Sequence, residues 1–168
     1  MSTPTISSEV LPTGNERENE WQEVTPGERF RICTSSNDTN GAYLVFEVVA
    51  DPRNGVPLHV HDNEEETFVV VEGTARMANG GQILDVATGM AVTIRRGAPH
   101  AWCNLSDSPL RMLVIFVPGR IEGLFRAASR ADFDPTTIPA EYGTRVIGPA
   151  LHDDIYSILS PRPSVSAA

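Results

Sequence analysis

Between Val56 and Gly73 the chain reads VPLHVHDNEEETFVVVEG, which places His59 and His61 one residue apart and sets three glutamates just beyond them. Alternate residues of a strand share a face, so His59 and His61 project to one side while Leu58 and Val60 project to the other. The residues DNEE form a polar turn. Glu66 then opens an apolar run with Phe68 and Val70 on its own face, and a hairpin pairing is expected to bring Glu66 alongside the two imidazoles. Glu64 and Glu65 are assigned to the turn and to solvent. A third imidazole lies in GMAVTIRRGAPHAWCN, where Gly89, Gly97 and Pro99 shape a turn before His100. Three neutral imidazoles and one carboxylate suit divalent iron, manganese, nickel, cobalt, zinc or copper, whereas calcium or magnesium would demand oxygen ligands.

The neighbouring residues sort by parity. Phe68, Val70 and Trp102 share the ligand-facing side and are expected to line a substrate pocket that is also barrel core. Asn104 has the parity of His100 and Trp102 and is assigned to fixing a turn. Cys103 has the opposite parity. It and Cys33 form no CxxC pair and have no flanking group that lowers a thiol pKa, so both are read as inert. Arg95 and Arg96 are read as rim charges, and His152, in LHDD, as a surface or interface residue.

Short β-type runs bounded by Gly, Pro, Asn and Asp position these residues. They are RFRICTS, AYLVFEVVA, LHVH, TFVVVEG, TARMA, GQILDVA, MAVTIR, AWCNL and RMLVIFV. So many strands without intervening helices exclude a βαβ layout and predict an antiparallel all-β barrel or sandwich. Residues 26–118 form that barrel. A polar arm, residues 1–25, precedes it, with Trp21 as a candidate anchor. A helical extension, residues 119–159, follows: GRIEGLFRAASRA puts Ile121, Leu124, Phe125 and Ala128 on one stripe, and a second short helix runs from Pro139 to Tyr142. Residues 160–168 read as a disordered tail.

The two histidine-bearing stretches resemble the paired motifs of the cupins. The first, approximately G(X)5HXH(X)3,4E(X)6G, is matched by His59, His61, Glu66 and Gly73, with Gly55 one position closer than the family pattern. The second, approximately G(X)5PXG(X)2H(X)3N, is matched by Gly89, Gly97, His100 and Asn104, with Arg95 where the family has proline. The resemblance covers Gly41 to Val117, is loosely similar to bacterial quercetin-dioxygenase-like proteins, and implies a small double-stranded β-helix. It also implies one divalent metal held by His59, His61, Glu66 and His100, with Glu66 as a catalytic base wherever it detaches.

An acidic balance of 13 basic against 22 acidic residues, net −9, with no basic stretch, argues against nucleic acid or an anionic membrane as partner. The opening residues lack a basic and then apolar leader, and the cysteine usage fits a reducing setting, so a cytoplasmic protein is expected. A homodimer that covers an exposed edge strand is expected too. Function stays open between three classes. These are a metal-dependent oxygenase or isomerase acting on an enolisable, catecholic or flavonoid-like molecule, a binding or sensing module, and a barrel without metal.

Overall fold

The computed structural model describes residues 20–130, 132–133 and 137–151. His152, residues 1–19 of the expected arm and the expected tail lie outside the described residues. All nine expected runs are strands: β2 (Glu28–Thr34), β3 (Leu44–Ala50), β4 (Pro57–His61), β5 (Glu65–Glu72), β6 (Thr74–Asn79), β7 (Gln82–Ala87), β8 (Ala91–Ile94), β9 (His100–Cys103) and β10 (Leu110–Val117). β1 (Gln22–Thr25) and β11 (Thr144–Ala150) bring the described strands to eleven.

Two sheets face one another. One has six strands in the order β1-β2-β3-β10-β5-β8, the other five in the order β11-β4-β9-β6-β7, and neighbouring strands are antiparallel. Alternation fixes what each strand turns inward. Leu44, Phe46 and Val48 of β3, Met112, Val114 and Phe116 of β10, and Phe68 and Val70 of β5 are buried between the sheets. Each such side chain contributes about 1.5–3 kcal/mol on burial. The helical stripe is as expected but short. α1 (Glu122–Ala128) turns Leu124 and Phe125 onto the barrel, where the Phe125 ring packs at 4.6 Å from that of Phe46 and at 5.5 Å from that of Phe116. No helix among the described residues is long and apolar enough to cross a membrane.

Two boundaries differ from expectation. The last residues of the supposed arm are β1, paired with β2. The supposed helical extension contains α1, two 3-10 turns and then β11, because TRVIGPA meets an edge of β4 that only another strand can satisfy: Thr144 pairs with His61 and Val146 with His59. Gly148 and Pro149 hide this strand in the sequence, and an edge position tolerates both.

The expected hairpin is also corrected. β4 and β5 lie in different sheets. β4 is flanked by β9 and β11, while Glu66 of β5 pairs with Phe116 and Ile94. Glu66 therefore meets the histidines across the barrel interior, not along a shared ladder.

Candidate metal centre

His59 and His61 come from β4, His100 from the start of β9, and Glu66 from the facing sheet. His59 and His100 are register partners, which stacks their rings with centroids 4.1 Å apart. One potential ligand atom from each of the four residues lies within 4.8 Å of every other. Opposite ligands of one ion, each bonded at about 2.1 Å, stand about 4 Å apart, so the cluster has the dimensions of a single site.

The outer nitrogens are already engaged. Nδ1 of His59 donates to the carbonyl of Pro57 (2.7 Å), Nδ1 of His100 donates to that of Ala98 (2.9 Å), and Nδ1 of His61 lies 2.9 Å from the hydroxyl of Thr144. A carbonyl only accepts, so His59 and His100 carry their Nδ1 protons there and turn Nε2 inward, the arrangement that metal-binding imidazoles require. The loop before His100 is fixed in turn by Gly97, whose φ of 69° suits glycine and whose N–H donates to the carbonyl of His61 (2.8 Å).

Protonation makes the same point. Nε2 of His100 stands 2.8 Å from Oε2 of Glu66. With Nδ1 already protonated, that contact is attractive only if Nε2 carries a second proton or if a cation takes the proton's place. Burial pushes the His100 pKa down, but the hydrogen bond and the charge of Glu66 outweigh it, and the pKa is raised above 6.5. For Glu66 burial pushes upward and the hydrogen bonds with His100 and His61 prevail, holding the carboxyl down at about 2. His59 is lowered to about 3 by burial and then by the neighbouring imidazoles, and so stays neutral. The neutral His59, the His100 imidazolium in place of a cation, the His61 imidazole beside them and a fixed carboxylate are a donor set that fits one divalent transition ion.

The cluster opens onto a cavity of about 190 Å³. His59, His61, Glu66 and Thr144 form one polar end, Phe30, Phe46, Phe68 and Trp102 are among its apolar walls, and Leu124, Phe125 and Ala128 of α1 line it as well. Two of the three expected pocket residues are there. Val70 is not: it lies in the core two residues beyond Phe68, opposite Met112. Asn104 fixes a turn as expected, its amide donating to the carbonyls of Ala50 (3.1 Å) and Ser108 (2.8 Å). Arg95 and Arg96 are exposed, Cys103 is buried on the outer face of its sheet, and Cys33 is half-buried.

Glu64 departs most from expectation. It is 2% exposed, and its Oε2 has no hydrogen-bond partner among the described residues. Burial raises its pKa, against the opposing charges of His61, Arg96 and Arg120. Its parity with Glu66, Phe68 and Val70 was the available signal, since the alternation of β5 extends one step into the turn. Thr144 went unrecognised because its strand did.

The cupin domain family matches residues 46–116, from within β3 nearly to the end of β10, a stretch that includes all four cluster residues. Residues 46–116 form a cupin domain. Over 80 residues the chain is 29% identical to the mannose-1-phosphate guanylyltransferase ManC of Salmonella typhimurium, a match covering 48% of this chain and 17% of that protein. It shares with this chain a segment and not a whole architecture. Among solved structures, KdgF from Halomonas sp. superposes with a TM-score of 0.57 at 20% identity, covering 65% of this chain and 94% of that one. An RmlC-like cupin from Shewanella frigidimarina gives 0.56 at 14% identity, covering 67% and 95%. Identities this low establish the likeness of the cupin fold alone.

Proposed function

We propose that this cupin is a metal-dependent enzyme, an oxygenase or isomerase, whose substrate is small and presents two adjacent oxygens as an enolate, catecholate or α-hydroxycarbonyl. The observation that carries the reading is a buried three-histidine, one-carboxylate cluster at the end of an otherwise apolar cavity. Bound there, a divalent ion would supply a net positive charge that stabilises an oxyanion and leaves positions for a bidentate ligand. His59, His61, Glu66 and His100 hold the ion. Pro57, Ala98 and Thr144 aim the imidazoles, and the ring-lined walls orient the ligand and exclude water.

Glu66 supports the ligand role more than the base role, because a carboxyl held at about 2 takes up a proton poorly near neutrality. The same observation favours a second reading, a metal-dependent binding module without turnover. Dioxygen uptake by metal-loaded protein, measured across flavonols, β-diketones and catechols together with an isomerase screen on α-hydroxycarbonyls, separates the two. Turnover of one class supports the enzyme, and tight binding without turnover of any supports the module. A homodimer belongs to the proposal as well: Val146 and Ile147 of the edge strand β11 are each 45% exposed, and light scattering reads the state.

A further inference from the structure

The cavity has a second polar end. Glu28 opens β2 with the same parity as Phe30 and Ile32, both of which are buried; half-buried itself, it lines the cavity together with Thr25. Glu28 lies opposite Ala50 of β3, while Glu66 lies opposite Phe116, itself opposite Leu44. The two carboxylates thus stand six positions apart along β3, about 20 Å between their backbones at a rise of ~3.3 Å per residue, on strands that flank β3 and β10, and both open into the same cavity. Between them the wall is Phe30, Phe46, Val56, Phe68 and Trp102.

Glu28 also differs from the structural acids of this chain. Glu47 is held by Arg31 and Arg111, Glu122 by Arg126, Asp85 by Arg76 and Asp62 by Arg145. Among the described residues no arginine pairs with Glu28, and its one hydrogen bond comes from the Thr25 hydroxyl (3.2 Å). Burial, opposed in part by that bond, pushes the carboxyl up to about 7. A carboxyl facing an apolar cavity without a cation is an acceptor short of a donor.

We propose that Glu28 is the specificity-determining residue at the end of the cavity remote from the metal centre. It accepts a hydrogen bond from the distal hydroxyl of an elongated aromatic ligand whose other end presents two chelating oxygens. The proposal rests on the reading of the cluster as an ion site that takes a chelating ligand, and it adds the length and the far-end chemistry of that ligand. An aromatic body suits the ring-lined walls between the two ends.

The test uses the whole chain loaded with Zn(II), which is redox-silent, and two hydroxamate probes, cinnamohydroxamic acid and its 4-hydroxy counterpart, titrated calorimetrically. The hydroxamate reads the ion site in both probes, and only the second carries the distal hydroxyl. At pH 8, where the carboxylate form of Glu28 prevails, the 4-hydroxy probe is expected to bind about tenfold more tightly to the unsubstituted protein, the gain typical of a hydrogen bond to a charged group. In Glu28→Ala that ratio falls to about one while the affinity for cinnamohydroxamic acid stays within about twofold. Should Glu28→Ala fail to fold, Glu28→Gln serves, with the ratio falling to about threefold because a neutral acceptor remains. Equal affinities in the unsubstituted protein, or a ratio untouched by substitution, overturn the role of Glu28 and leave the ion site standing. Failure of both probes to bind overturns the ion-site reading and this proposal with it.

Discussion

Removing His100 from the metal-free protein isolates the physics of the cluster. Oε2 of Glu66 is 2.8 Å from Nε2 of His100 and 3.5 Å from Nε2 of His61, and the two partners are 1% and 5% exposed respectively. His100→Ala therefore strands a buried carboxylate with only the longer contact. Breaking a buried pair in this way costs about 3–5 kcal/mol, and the surviving His61 contact puts the expected loss near the lower figure. At about 2–4 °C per kcal/mol for a chain of this size, the melting temperature at pH 6 falls by roughly 10 °C. Glu66→Gln removes the charge that makes His100→Ala expensive, so the double variant should recover at least 1 kcal/mol relative to additivity. The sign with pH follows from the raised His100 value. Its stabilising contribution is fully present below 6.5, the unfolded value, and is lost as pH rises through the folded one, so the gap between the unsubstituted protein and His100→Ala narrows toward pH 8. Calorimetry of the four metal-free proteins at pH 6 and 8 decides. Additive losses, or a gap that widens at high pH, refute the assigned charge pair.

Metal binding must displace the His100 proton, so Zn(II) affinity should rise with pH, by up to about tenfold per unit, below the His100 value and flatten above it. Isothermal titrations between pH 5 and 8 check this, and a flat profile would exclude His100 as a ligand. Glu64→Gln should stabilise the fold by about 1 kcal/mol at pH 7 and far less at pH 4, because a carboxyl with a raised folded pKa loses stability as pH climbs above 4.5; thermal melts at the two pH values read it. Gly55→Ala would place a Cβ 2.5 Å from the Trp102 carbonyl and 2.7 Å from Cβ of Cys103. The substitution should force apart the strands that carry His59, His61 and His100, cost about 2 kcal/mol and lower metal content, all measurable by melting and elemental analysis.

Much of the site was legible because it obeys period two. His59 with His61, and Glu66 with Phe68, share faces for reasons of strand geometry alone, and the motif spacing around Gly97 and His100 named the third imidazole before any tertiary contact was known. Partners across space were not legible. A polar DNEE segment reads as a hairpin turn, yet the chain uses it to pass from one sheet to the other, and only the competition of β9 and β11 for the edges of β4 decides between the two. Glu64 is hidden for a related reason: composition assigns it to solvent, while the alternation of β5 continues inward through it. β11 was missed because Gly148 and Pro149 interrupt its pattern, and with it went Thr144, the residue that steers His61. Glu28 escaped notice because a lone acid at a strand start looks ordinary until the cavity is seen.

In the proposed site His59, His61, Glu66 and His100 together hold one divalent ion. Elemental analysis of untagged protein, purified without chelator and compared with His100→Ala checked for native secondary structure, tests it most directly. Close to one transition ion per chain in the unsubstituted protein and a small fraction of that in the variant is the expected result; equal metal content in the two, at any level, contradicts it.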